Sequence, residues 1–585
     1  MKTLNSALFI SLLLSLAACT NDTKEPPAMA DCTRMPLTDD DVSNGTTLAA
    51  GSCWLVDEPL GVEANVLVVE AGVDVQFTNR GNLSITDLGR LTIAGTADAP
   101  VLLAGTETRR GHWQGIRIAT DSQDNRLEHA IISDAASNAW NGNVETQAAL
   151  FADADSSVSL NNVTFRRAGL HGIYIDDEAA LGTFGENRFE DNGSPGRVSA
   201  NQLGILEGTS TFSGNDTEAL GTVGQETVSI DQSWPALPVP YRLEERIIVD
   251  ATLMVEAGAS FEFGENGRIE VAVDGSLSVD GTMTAPVVFR GIEATRGHWQ
   301  GIQFSSANPE NRLRYARVLH AGRGVWNGNA DSVAAINLDN GGGASIEDSE
   351  VEESGGYAFR AEESSQIGTF ARNTFRSNAL TLSVAHDLVG ELDGASMLTG
   401  NDADYALISG PSVGSQGTIA TPQTWRALTV PYRLAGDALI EAALTIEAGA
   451  TVQVAEDVRI RTRMGGTLSI RGTEAAPVRF EGSDPMVPFW YGFGIETVSV
   501  DNVIQHAVIA GAGSSTWNGN AQSTATFFVS SGSLRLENVT LESGGGYGAF
   551  LNQEATLAVC QSDLSAASAG MSFILDDQSS TMTGC

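Results

Sequence analysis

One long unit written three times constrains this chain more than any other feature. Trp113 recurs as Trp299, 186 residues later. "AWNGN" at 139–143 returns as "VWNGN" at 325–329 and "TWNGN" at 516–520, at offsets of 186 and 191. Pro100, Pro286 and Pro477 keep those two offsets, as do Glu70, Glu256 and Glu447. "SWPALPVPYRL" from 233 and "TWRALTVPYRL" from 424 open the second and third units. Such self-similarity means one structural solution is reused, with neighbouring units burying each other's faces.

A finer rhythm runs inside each unit. Val73, Val75 and Phe77 alternate with Asp74 and Gln76; Leu91 and Ile93 flank Thr92, matched by Leu277/Val279 and Leu468/Ile470. Strict alternation over three to five residues predicts a short strand with one buried face. The runs are separated by Gly, Asn, Asp and Ser turns, and no helical periodicity of useful length follows the first residues. A chain of 585 residues without an evident linker is too long for one sandwich core, whereas a solenoid grows by stacking. Roughly three strands per coil of about 20–25 residues predicts a parallel β-helix.

"LTIEAGATVQVAEDVRI" from 444, with "GGTLSIRGTEAAPVRFEG" after it, resembles the pectate-lyase-like family of right-handed parallel β-helices. More narrowly, it is similar to secreted bacterial repeat proteins of that family. The resemblance implies an all-β, right-handed parallel β-helix solenoid of three homologous segments. These are expected at 32–232 with an N-terminal cap, 233–423, and 424–585 with a C-terminal cap. The scaffold hosts lyases, hydrolases, epimerases and proteins without known activity, so it specifies no function by itself.

The opening "MKTLNSALFISLLLSLAAC" has the plan of a secretory signal, with a basic start, an apolar stretch and small residues before Cys19. "LAAC" resembles the bacterial lipobox, which implies a signal peptide over 1–18 and a lipidated Cys19 at the start of a polar tether, 19–31. More than one acyl chain gives stable membrane anchoring. Thr20 in place of Asp implies the bacterial outer membrane, periplasmic or surface-exposed. In an exported protein, Cys32 with Cys53 and Cys560 with Cys585 are expected as disulfides, each closing about one coil at an otherwise open end of the solenoid.

The net charge of −40 sets the surface against nucleic acid. Carboxylate runs such as "TDDDV" at 38–42 and the pair at 576–577 raise Ca²⁺ as an ion to consider, but no segment reproduces the spaced D-x-D-x-D-G loop, and no cofactor is expected. Solvated coil faces account for the charge.

Two repeated motifs look chemical. "RRGHWQGI" and "TRGHWQGI" carry Arg, His and Trp, but the third unit reads "PFWYGFGI", keeping the Trp490 ring and a glycine while losing His112 and His298. That pattern predicts a coil corner. His171, beside Asp176 and Asp177, is likewise absent from the other units and reads as scaffold. Asn125, Asn311 and Asn502 read as positions of an asparagine ladder. "WNGN" remains open between a packed turn and a ligand platform: Asn-Gly forces a tight turn, a tryptophan before it offers a ring to a sugar, and the amides reach hydroxyls. The candidate ligand-binding residues are therefore Trp140, Asn141, Asn143, Trp326, Asn327, Asn329, Trp517, Asn518 and Asn520.

Residue by residue, the motifs of pectate lyases, polygalacturonases and alginate epimerases are missing, and no catalytic residue is assigned. The expectation is a membrane-anchored extracytoplasmic protein with a structural, adhesive or glycan-binding role, engaging surface polysaccharide or an envelope protein. The alternative is a polysaccharide lyase or glycoside hydrolase acting on acidic polysaccharide.

Overall fold

A computed structural model describes residues 32–410, 414–574 and 579–585. The signal segment, Cys19, the tether up to residue 31 and the carboxylates at 576–577 lie outside the described residues. The described chain is a parallel β-helix solenoid: every ladder between its strands is parallel, and three strands on three walls make a coil. Val66–Glu70, Asp74–Phe77 and Asn82–Ile85 form one coil, and Arg90–Ala94, Val101–Gly105 and Ile116–Ile118 form the next. The register sets Val69 on Ile93, Val75 on Leu103 and Leu83 on Ile116, so inward side chains stack apolar on apolar. One hydrophobic core runs from Leu37 to Ala567. Phenylalanines climb through it in stacks, Phe165 on Phe189 at 5.4 Å and Phe189 on Phe212 at 5.3 Å.

The corners explain the recurring glycines. Gly115, Gly301 and Gly492 turn at φ of 120°, 124° and 120°, a region closed to other residues.

Successive segments do not repeat in the same orientation. In the first, one wall carries Asp74–Phe77 and Val101–Gly105, and the next carries Ile116–Ile118, Ala148–Ala152 and His171–Ile175. The ladder of this second wall runs on through Ser194–Val198 and Leu220–Gly221 into Tyr241–Leu243, Ser260–Phe263 and Val287–Gly291. Ser260–Phe263 and Val287–Gly291 are the second-segment counterparts of Asp74–Phe77 and Val101–Gly105. The second segment is therefore turned about the axis by one wall, a third of a revolution. The same handover recurs, with Tyr357–Ala361 continuing through Leu380–Ala385 and Ala406–Ser409 into Tyr432–Leu434 and Thr451–Val454. At each join a 3-10 helix, Ala200–Ile205 or His386–Glu391, stands where a strand would continue. The side chain of Gln232 accepts from Gly204 N–H at 2.9 Å, and Gln423 does the same for Gly390 at 2.8 Å.

Cys32 is bonded to Cys53 and Cys560 to Cys585, closing separations of 21 and 25 residues at the two ends of the described chain. At the start, Thr38 caps the single helical turn Asp39–Val42, which buries Val42. Titration of the denatured, unreduced protein is expected to find no free thiol among these four cysteines. Reduction is expected to cost about 3 kcal/mol per bridge, read as faster hydrogen exchange confined to the terminal coils. A free thiol, or loosening spread evenly along the chain, would count against end-stapling.

Candidate functional site

The Arg-Gly-His-Trp motif is a wall element. Trp113, Trp299 and Trp490 are fully buried, and each indole N–H donates to a backbone carbonyl, of Ser133 (2.8 Å), Leu319 (2.8 Å) and Ala510 (2.9 Å). Trp113 stacks on Phe77, and Trp299 on Phe263, with ring centroids 3.9 Å apart. His112 is buried with Nε2 2.9 Å from the Thr106 hydroxyl.

The three Trp-Asn-Gly-Asn loops have one geometry. Each leaves a wall at a coil corner and folds back over the outside of the next strand. The indole N–H donates to the carbonyl eight residues on: Trp140 to Ala148 at 3.1 Å, Trp326 to Ala334 at 2.9 Å, Trp517 to Ala525 at 3.0 Å. The side-chain oxygens of Asn141, Asn327 and Asn518 accept from the N–H of Asn143, Asn329 and Asn520. The latter three in turn cap a short 3-10 turn by accepting from Glu145, Asp331 and Gln522 N–H. A hydroxyl three residues after the second asparagine, Thr146, Ser332 or Ser523, donates to that asparagine's carbonyl at 2.6–2.7 Å. The amide oxygens thus build the loop, and the rings stay half-buried with one side toward solvent. Because each segment is turned by one wall, the loops stand on three different corners and do not form a row. About seven coils, roughly 35 Å at the ~4.8 Å strand spacing, separate the first loop from the second along the axis.

What lies beneath the loops differs between segments. Trp140 lies over Phe151, which packs on Tyr174, with centroids 6.4 and 5.6 Å apart. Trp517 stacks on Phe528 and Phe528 on Phe550, at 5.3 and 5.8 Å. In the middle segment the matching wall positions hold Asn337, paired in register with Arg360.

His171 is brought near Glu145 and not near the aspartates that follow it in sequence. Its Nδ1 is 2.7 Å from the Ser194 hydroxyl, and Nε2 lies 3.8 Å from a Glu145 carboxylate already paired with Arg197 at 2.8 Å. Burial, reinforced by Arg197, pulls its pKa down to about 3. Asn125, Asn311 and Asn502 do not ladder on one another, since a full segment separates them. Each accepts from a backbone N–H one coil away (Leu91, Leu277, Leu468). Contacts between asparagine side chains form elsewhere, between Asn192 and Asn215 at 3.0 Å and between Asn378 and Asn401 at 2.9 Å. Among the described residues, no group of three or more His, Cys, Asp or Glu is placed to hold a metal ion. In "TDDDV", Asp41 is bonded back to Thr38 and Asp39 accepts from Gly61 N–H. No family model matches the chain, and no curated protein matches it.

Proposed function

We propose that this chain is a lipid-anchored, extracytoplasmic β-helix protein that holds envelope or surface polysaccharide on its outer walls without catalysing its turnover. The observation that carries the reading is the Trp-Asn-Gly-Asn loop, which keeps its indole, asparagine and hydroxyl bonds in three segments and presents a half-buried ring to solvent each time. A ring fixed by its own N–H bond and, in two segments, by an aromatic beneath it is a preorganised stacking surface for a sugar face. The lipobox-like start supplies the membrane address, and the pectate-lyase-like resemblance is consistent with saccharide recognition. Loops on three corners suit capture of separate chains, which makes the protein a cross-linker of polymer as much as a binder.

Hydrolysis is the less favoured reading. Of the carboxyls at the cavity, Glu362 is already held by Arg360 and Asn327 and lies against Asp339. Glycoside hydrolysis separates its two carboxyls by about 5 Å or more to admit the scissile bond.

The test is retention of the full mature protein on a panel of immobilised neutral and acidic bacterial polysaccharides. Trp140→Ala, Trp326→Ala and Trp517→Ala together are expected to weaken the retained interaction tenfold or more, with little change in melting temperature. Retention unchanged in the triple variant would end the platform reading.

A further inference from the structure

The middle segment carries a second kind of site. A cavity of about 390 Å³ opens on its outer wall, lined by Arg360, Glu362, Glu363, Ser364, Ser383 and Ser409 among others. Behind it lies the column in which Asn337 and Arg360 replace the aromatic pairs of the outer segments. Asn337 is fully buried, and its amide nitrogen has no hydrogen-bond partner. Leaving a buried donor unmade costs about 1–3 kcal/mol, a cost that the Phe–Tyr and Phe–Phe pairs of the other segments avoid. A fold that has the apolar solution twice and departs from it once marks that position as selected for something besides stability.

The polar groups converge. Arg360 donates from Nη1 to Asn337 Oδ1 at 3.1 Å and from Nη2 to Glu362 Oε1 at 2.7 Å. Asn327, from the middle Trp-Asn-Gly-Asn loop, donates to the same Glu362 oxygen at 2.7 Å. Gln303 donates to Asp339 at 3.4 Å, and Glu362 lies beside Asp339. Burial, then the neighbouring Asp339, raises the Glu362 pKa. Arg360 is already ion-paired with Glu362 and bonded to Asn337. Among the described residues the lining thus holds no unpaired cation, with the Ser383 and Ser409 hydroxyls 3.4 Å apart and Glu363 exposed on the rim.

We infer that this cavity binds one uncharged, hydroxyl-rich ring, a neutral hexose or an N-acetylated hexosamine, in preference to a uronate. A uronate would bring its carboxylate to a rim holding Glu363 on a protein of net charge −40, where the guanidinium of the lining is already paired with Glu362. The volume fits one or two pyranose rings, and hydroxyl, amide and carboxyl groups suit an array of alternating donors and acceptors. Asn327 joins cavity and loop, so the middle loop has a chemical selectivity that the outer two lack. The identity of the ligand class rests on the glycan-binding reading above.

Saturation-transfer NMR of the full mature protein tests this with glucose, galactose, N-acetylglucosamine and galacturonate as probes. Signals are expected from at least one neutral sugar and weaker ones from galacturonate. They should fall at least tenfold in Asn337→Phe/Arg360→Tyr, which installs the aromatic pair of the first segment. Ser383→Leu is a second variant, filling the cavity at a position where the first segment carries Arg197, and it should have the same effect. The signals should persist in the triple tryptophan variant, which separates failure of this site from failure of the loops. Signals unchanged by both cavity variants, confined to galacturonate, or absent from the wild type would overturn the inference.

Discussion

Trp299→Ala is expected to destabilise the protein by about 3–5 kcal/mol, whereas Trp326→Ala, 27 residues later in the same segment, is expected to cost only ~1 kcal/mol. The difference follows from what each ring does. Trp299 has no exposed surface, lies 3.9 Å from the Phe263 ring and satisfies the Leu319 carbonyl. Truncation opens a cavity in the continuous core and leaves a buried acceptor unpaired. Trp326 sits in a loop outside the wall, half-exposed, and loses one hydrogen bond to the Ala334 carbonyl. Stability in stacked repeats is close to a sum of local and nearest-neighbour contributions, so the Trp299 loss should show as early opening of the middle coils by hydrogen exchange. Equal costs for the two substitutions would mean that the motifs have been assigned to the wrong roles.

Stability is expected to peak near about pH 6.5 and fall on both sides. His171 is buried as the neutral imidazole with its pKa pulled down to about 3, and burial pulls His386, packed against the Gly417 backbone, down to about 4. Below pH ~6.5 the unfolded chain binds protons that these side chains refuse when folded, so stability rises with pH in that window and is lost on acidification. At about 1.4 kcal/mol per unit, the full acid losses are on the order of 5 kcal/mol for His171 and 3 kcal/mol for His386. Glu226 has the opposite sign. It is buried at the first segment join, where it accepts from Ala200 and Val223 N–H, and burial raises its pKa to about 8. Between pH ~4.5 and 8 the unfolded carboxyl ionises while the folded one stays protonated, so this group removes stability as pH rises. The two histidines outweigh it below pH 6.5; above that it acts alone and costs about 2 kcal/mol by pH 8. Denaturant melts from pH 4 to 8 check the curve. His171→Gln/His386→Gln should flatten the acid arm whatever it does to the absolute value, and an unchanged acid slope would contradict the assignment.

The fold was legible in the sequence because its causes are local and repeated. Alternation such as Val73, Val75 and Phe77 declares a buried face, and the 186- and 191-residue echoes declare stacking. The cysteines near the two ends read correctly as bridges for the same reason: their placement leaves little else for them to join. The turn of one wall at each join was not legible. It depends on how many residues the 3-10 helices at Ala200–Ile205 and His386–Glu391 take from a coil, which apolar periodicity does not record. The asparagines misled for a related cause: Asn125, Asn311 and Asn502 share a position in the unit but never meet in space. The polar column of Asn337 and Arg360 has no signature in the repeat, because Asn337 and Arg360 stand where the first segment has Phe151 and Tyr174 and the shared motifs do not include them.

Walls pass between segments by a third of a turn, and that handover sets the three loops on three corners. Gly221 pairs in register with Arg242 across the first join, Gly221 lying beneath the Arg197 side chain and Arg242 half-buried, so Gly221→Cys/Arg242→Cys should cross-link on mild oxidation. Ser213→Cys/Arg242→Cys, which joins Arg242 to the wall it would face if the segments were aligned, should stay reduced. Cross-linking of the second pair and not the first would contradict the handover, and with it the three-sided presentation of the loops.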